Sequence, residues 1–87
     1  MSKKIISIIR PFNVNQETYI YDNGIKVKQL SIPLTGFNQS IFELVKTEEI
    51  SRIDLLGSRP FLQGLKNQLH EFEQTKYKTS NLEVNII

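Results

Sequence analysis

One turn in this sequence has the local pattern of a ligand-binding site. In the stretch IDLLGSRPFLQGLKNQL, residues 53–69, a short apolar run leads through a Gly-Ser pair into a helical pattern. Backbone N–H groups at the start of a helix have no partner within the helix, so they can bind a phosphate or another anion. Gly57, Ser58 and Arg59 would form this anion site, with the arginine adding charge. A single Gly-Ser pair is far from the spacing of a phosphate loop, and a helix cap at Ser58 explains the pattern more simply.

A second candidate is a group of basic and aromatic residues near the N-terminus. The basic residues are Lys3, Lys4, Arg10, Lys26 and Lys28, and the aromatic ones are Tyr19 and Tyr21. From this group, the selected site residues are Arg10, Tyr19, Tyr21, Lys26 and Lys28. Cations interleaved with aromatic rings on a sheet can bind single-stranded nucleic acid by charge and stacking. The same residues also suit a solvated sheet face whose edge lysines discourage aggregation. The sequence favours this second interpretation and leaves the first as an alternative.

Residues for metal or nucleophilic chemistry are scarce. The chain has no cysteine, which excludes disulfides, thiol catalysis and cysteine-ligated zinc. Its single histidine, His70, is expected at the edge of an apolar helix face without a second ligand. We therefore predict no catalytic residue, no metal site and no cofactor.

Length and composition are those of an ordinary globular domain. The 87 residues, of which 39% are hydrophobic and 23% charged, predict a single domain over residues 1–87. The net charge of +2 permits nucleic-acid binding without indicating it. Small secreted domains usually need disulfides, so a cytoplasmic location is expected. No apolar run approaches the roughly 20 residues of a membrane span, so no membrane partner is expected.

Periodicity predicts five strands and two helices in the order β-β-β-α-β-α-β. The second and third strands form a hairpin around Asp22-Asn23-Gly24, a tight-turn sequence. Gly64 interrupts the apolar stripe of the second helix, which predicts a close approach to the sheet. The segments, in chain order, are KKIISIIRPF, ETYIYDNGIKVKQLSIPL (two strands), GFNQSIFELVKTEE, SRIDLLG, SRPFLQGLKNQLHEFEQTKY and NLEVNII.

These segments predict an α/β fold with a five-stranded mixed sheet in the order 3-2-1-4-5. Crossovers between parallel strands are almost always right-handed. If the fourth strand lies beside the first and the fifth beside the fourth, both crossovers progress in one direction, which puts both helices on the same face of the sheet.

This order resembles the core of the ribonuclease H fold, and the turn adds to the likeness. In that family the fourth strand ends in a catalytic aspartate followed by a serine, with a glycine seven residues after the aspartate. Here Gly57 stands in the place of the aspartate, while Ser58 and Gly64 match the serine and the glycine. The first helix of the family carries a catalytic glutamate before a leucine, which Glu43 and Leu44 match.

The same resemblance shows which catalytic groups this sequence lacks. The family holds two divalent cations between several carboxylates. The first strand here has no carboxylate, Gly57 has no side chain to bind a metal, and the acidic C-terminal helix of the family has no counterpart before Ile87. Of the implied carboxylates, only Glu43 has a counterpart. We expect a truncated ribonuclease H-like fold that is not an enzyme; residual metal-dependent nuclease activity through Glu43 is the remaining alternative.

The predicted topology leaves the second face of the sheet without a helix. Isoleucines nevertheless lie on both faces of the first strand, and large apolar patches are rare on soluble monomers. We therefore predict an interaction face that includes Ile6, Ile8 and Leu55, covered by a second copy in a homodimer or by a partner protein.

The leading functional interpretation is a non-catalytic protein-interaction module. The small size and reduced fold suggest a phage or mobile-element protein that acts on a partner protein, for which inhibition of a host or defence protein is one role. The first alternative is a single-stranded nucleic-acid-binding protein that uses the basic hairpin.

Overall fold

The computed structural model describes residues 3–10, 14–57, 59–74 and 82–87. The elements follow the predicted order, and their bounds are β1 Lys3–Ile9, β2 Asn15–Asp22, β3 Ile25–Pro33, α1 Phe37–Glu48, β4 Ile50–Gly57, α2 Arg59–Phe72 and β5 Glu83–Ile86. Four parts of the predicted elements lie outside the described residues: Pro11 and Phe12 at the end of the first strand, Ser58, the end of the second helix beyond residue 74, and Asn81 at the start of the last strand.

The five strands form one mixed sheet in the order β3-β2-β1-β4-β5, which confirms the predicted α/β topology. β2 pairs antiparallel with both β1 and β3, while β4 pairs parallel with β1 and β5. α1 contacts β3 and β4, α2 contacts β4 and β5, and the helices contact each other. The two helices thus form one layer on one face of the sheet. Among the described residues, neither helix combines the length and the apolar character needed to cross a membrane.

Side chains of β1 alternate between two environments. Ile5, Ser7 and Ile9 are buried towards the helices, whereas Ile6 is half-buried and Ile8 is 36% exposed on the other face. This alternation is the period-2 geometry of a strand with one covered face. The core between the sheet and the helices contains Ile5, Ile9, Ile20, Ile32, Phe37, Ile41, Phe42, Val45, Ile50, Ile53, Leu55, Leu62, Leu65, Leu69 and Val84.

Three polar side chains are buried in the helix-facing layer of β1 and β2. The hydroxyls of Ser7 and Thr18 lie opposite each other and are 2.7 Å apart, within hydrogen-bond distance. Gln16 accepts a hydrogen bond from the backbone N–H of Arg10 at 2.6 Å and donates one to the carbonyl oxygen of Val14 at 2.6 Å. Because buried polar groups are costly unless paired, these bonds fix how the chain leaves β1 and enters β2.

Gly64 does not approach the sheet as predicted. It is exposed on α2, and a Cβ atom placed there would meet no atom within 4 Å. It lines a groove of about 580 Å³ between the N-terminal halves of the two helices, with Leu34, Phe37 and Phe61 among its apolar walls.

Candidate functional site: the open face of the sheet

Strand pairing defines the set of side chains that point away from the helices. We call this surface the open face, since no helix among the described residues covers it. Its members are Lys4, Ile6 and Ile8 of β1, Asn15, Glu17, Tyr19 and Tyr21 of β2, Lys26, Gln29, Ser31 and Pro33 of β3, Arg52, Asp54 and Leu56 of β4, and Glu83 and Asn85 of β5.

One end of the open face is apolar. Ile8 pairs directly with Leu56 on the neighbouring strand, and Ile6 precedes Ile8 on the same side of β1. Ile6 and Leu56 are half-buried by their neighbours. We call Ile6, Ile8 and Leu56 the apolar end.

Leu55 does not belong to this surface, so its predicted place in the interaction face is wrong. It pairs with Ser7, whose side chain is buried towards the helices, and its own exposure is 0%. In the parallel register with β1, Leu55 therefore points into the core and Leu56 lies on the open face.

The other end of the open face is basic and aromatic. Lys26, Tyr21, Lys4 and Arg52 occupy paired positions across four adjacent strands, from β3 to β4. Tyr19 lies two residues before Tyr21 on the same side of β2, and the Lys26 Nζ atom is 5.4 Å from the centre of its ring. This distance is within the range of a cation–π contact. We call these five residues the basic end.

A β-bulge decides which lysine reaches the basic end. The register between β2 and β3 shifts between Ile20 and Tyr21, so that Lys26 pairs with Tyr21 while Lys28 pairs with Ile20. Val27 is the extra residue. Without a bulge, Lys26 and Lys28 would lie on the same side of β3; with it, they lie on opposite sides. The predicted grouping of Lys28 with Lys26 is therefore wrong: Lys28 lies on the helix side, where its Nζ atom is 2.7 Å from Oε2 of Glu48.

Arg10 is also separated from the predicted basic group. It follows the end of β1 that lies away from the β2–β3 turn, and its Nη2 atom donates a hydrogen bond of 3.0 Å to the carbonyl oxygen of Asn15. Of the five residues predicted to bind nucleic acid, the structure brings together Tyr19, Tyr21 and Lys26. It adds Lys4 and Arg52, which the sequence analysis did not select for this site.

A buried carboxylate holds two cations of the basic end in place. The Asp54 side chain is 7% exposed; its Oδ1 accepts a hydrogen bond of 2.8 Å from Nε of Arg52, and its Oδ2 lies 3.8 Å from Nζ of Lys4. The hydrogen bond to Asp54 raises the pKa of Arg52 above its ordinary value. Since arginine is charged at any physiological pH, the useful effect of the bond is to fix the direction of the guanidinium group.

An open cleft of about 580 Å³ adjoins these cations. Its lining residues are Lys4, Tyr21, Asn23, Gly24, Ser51, Arg52 and Glu83. Glu83 stands at its rim, with Oε2 3.9 Å from Nη1 of Arg52 and 60% of its side chain exposed. The basic end thus combines a cleft, oriented cations and two aromatic rings.

The predicted anion site at the turn after β4 is described only in part. Gly57 is exposed and has a φ of 145°, and a Cβ atom there would overlap the carbonyl oxygen of Ile9. Arg59 is exposed at the first position of α2, and Ser58 lies outside the described residues. The backbone at Gly57 therefore excludes an aspartate in this conformation, which gives a physical reason for glycine at the position where the sequence resemblance implied a carboxylate.

The candidate carboxylates of the nuclease alternative are not brought together. Glu43 is exposed on α1, in the helix layer, whereas Asp54 belongs to the open face on the other side of the sheet. Within the described ranges, no three His, Cys, Asp or Glu side chains lie close enough to hold a metal ion. His70 lies with Nδ1 3.8 Å from Oε1 of Glu73, one turn further along the chain.

Comparisons with known proteins identify a related fold. No family model and no curated protein matches this sequence. A crystal structure from Bacteroides thetaiotaomicron, titled as a protein with an actin-like ATPase fold and unknown function, matches with a TM-score of 0.71 and 19% identity. The match covers 99% of this chain and 32% of the other, so this chain spans about a third of that protein's length. At this identity the likeness shows the fold alone: the chain is a small α/β domain whose fold is related to the actin-like and ribonuclease H-like folds.

Proposed function

We propose that this chain is a non-catalytic interaction module that binds a protein through the open face, with a second copy of the chain as one occupant. The observation that carries the proposal is the apolar end. Ile6, Ile8 and Leu56 lie on adjacent strands of a face that no helix among the described residues covers. Ile8 is 36% exposed at the centre of this group, and contiguous apolar surface on a domain is a feature of interaction sites.

The surroundings of the apolar end support a protein as the ligand. Tyr19 pairs with Ile6, so an aromatic ring extends the apolar surface towards the middle of the sheet. Glu17, which pairs with Ile8, and Asn85, which pairs with Asp54, supply polar groups around it. An apolar centre with aromatic residues and a polar rim is the common anatomy of a protein–protein interface.

Two features support the absence of catalysis. Glu43 and Asp54 lie on opposite sides of the sheet, and Gly57 adopts a conformation that suits only glycine. In our proposal the sheet and the two helices form a ribonuclease H-like core that uses the sheet surface for binding.

The test compares two isoleucines of similar chemistry in different places. Ile8→Arg puts a charge in the apolar end, whereas Ile25→Arg changes a residue that is 68% exposed on the edge strand β3 and lies outside the open face. We expect the wild-type chain to sediment as a dimer or to capture a protein from its native cells. Ile8→Arg should abolish this association, and Ile25→Arg should preserve it, with circular dichroism confirming that both variants are folded.

Two outcomes of this experiment would contradict protein binding through the open face. A wild-type chain that sediments as a monomer, binds no apolar dye and captures nothing that Ile8→Arg loses would overturn the proposal. Equal losses in the two variants would show that the association does not use the open face.

A further inference from the structure

We propose that the basic end of the open face binds single-stranded nucleic acid. This inference goes beyond protein docking, since it rests on the basic end and not on the apolar end. Its residues are Lys4, Tyr19, Tyr21, Lys26 and Arg52, of which only Tyr19 also adjoins the apolar end. Single strands are recognised by cations that contact the phosphates and by aromatic rings on which unpaired bases stack. The basic end supplies both kinds of group on one sheet surface.

The aromatic part is a pair of stacking positions. Tyr19 and Tyr21 stand on the same side of β2, two residues apart, which separates their backbone positions by roughly 7 Å. Both are only half-buried, so part of each side chain remains accessible. Lys26, 5.4 Å from the centre of the Tyr19 ring, brings a positive charge to the same place.

The cationic part crosses the strands. Lys26, Lys4 and Arg52 lie on β3, β1 and β4, and adjacent strands are about 4.8 Å apart, so the row spans roughly 14 Å. Asp54 receives its hydrogen bond from Nε of Arg52 and so uses neither terminal nitrogen of the guanidinium group. The cleft of about 580 Å³ beside Lys4 and Arg52 gives a phosphate or a base room to enter.

The arrangement favours a single strand over the other polyanions that cations attract. An acidic peptide would use the lysines and the arginine but would leave two tyrosines without a role. Paired bases are stacked within a duplex and cannot lie on the rings, whereas unpaired bases can. Among the nearby carboxylates, Glu17 pairs with Ile8 at the other end of the open face, and Glu83 stands 3.9 Å from Nη1 of Arg52 with 60% of its side chain exposed.

The experiment measures anisotropy of short fluorescein-labelled oligothymidylate and oligouridylate at several salt concentrations. With three cations on phosphates, the logarithm of the affinity should fall with the logarithm of the salt concentration with a slope of about −2. Lys26→Gln should make this slope shallower by about 0.7. Tyr21→Leu should weaken binding roughly five- to 100-fold with the slope unchanged, because it removes stacking alone.

Lys66→Glu is the matched control for Lys26→Glu, because Lys66 lies on α2 in the other layer. Lys26→Glu should abolish binding, and Lys66→Glu should leave it within twofold. Absence of binding at low salt, equal losses in both variants, or equally strong competition by oligoglutamate would overturn the inference. The two proposals fail separately, since sedimentation of Ile8→Arg is read without nucleic acid.

Discussion

Gly57 and Gly64 stand seven residues apart, and the structure gives each a different reason to be glycine. Gly57 has a φ of 145° and no room for a Cβ atom beside the carbonyl of Ile9, whereas Gly64 is an exposed helix residue with open space around it. We expect Gly57→Ala to lower the free energy of unfolding by about 1–3 kcal/mol. Gly64→Ala should raise it by about 0.5–1 kcal/mol.

Urea unfolding followed by circular dichroism measures both changes. If Gly57→Ala proved neutral, the positive φ assigned to Gly57 at the end of β4 would be contradicted. Gly57→Asp should be at least as destabilising as Gly57→Ala, because any side chain at this position meets the carbonyl oxygen of Ile9.

A second property at the residue scale is the pH dependence conferred by Glu48. Its carboxylate lies 2.7 Å from Nζ of Lys28 and 3.6 Å from Nζ of Lys3. The hydrogen bond with Lys28, followed by the charges of both lysines, lowers the pKa of Glu48 from the ordinary 4.5. A carboxyl group with a lowered folded-state pKa stabilises the fold above its unfolded pKa, and this stabilisation disappears as the pH falls through the folded value.

Glu48→Gln should therefore lower the melting temperature at neutral pH, and the difference from wild type should shrink as the pH falls below 4.5. Glu43→Gln, an exposed position on the same helix, is the control and should cause a smaller change at neutral pH. Thermal unfolding from neutral to strongly acidic pH gives both curves. A Glu48→Gln deficit that persists unchanged in acid would rule out the ion pairs as its cause.

In β4 the sequence does not indicate which residues face the core, whereas the structure separates a buried face from an open face. Leu55 is 0% exposed in the core, and the adjacent Leu56 is half-buried on the open face. Leu55→Ala should cost about 2–5 kcal/mol because it leaves a cavity. Leu56→Ala should cost about 1 kcal/mol, a typical value for a single substitution. Equal losses in urea unfolding would contradict the assigned faces of the strand.

The hairpin and the helices could be predicted from the sequence, whereas the two faces of β4 could not. Tyr19 and Tyr21 alternate with other residue types, and the turn sequence after Asp22 fixes the hairpin. In β4 the apolar residues run on both sides of Asp54, so periodicity alone does not separate the faces. The register with β1, a long-range pairing, decides that Leu55 is buried.

At the scale of the whole molecule, the sheet order was predictable because consecutive strands usually lie side by side, and the open face because crossovers between parallel strands are right-handed. The composition of the site was only partly predictable. Lys4 and Arg52 come from strands far apart in sequence, and they become neighbours only through the parallel pairing of β1 with β4. No short stretch of sequence indicates this cluster, because Lys4, Lys26 and Arg52 each lie on a different strand.

The bulge at Val27 has a consequence in genetic terms. Removing or adding one codon between the β2–β3 turn and Lys26 would change which side of the sheet that lysine occupies, because alternation has a period of two residues. The charge pattern of the open face could thus be exchanged between related chains by a single insertion or deletion, with every residue type retained. Among relatives of this protein, the spacing between the β2–β3 turn and the lysines of β3 would then be as informative as the identity of the lysines themselves.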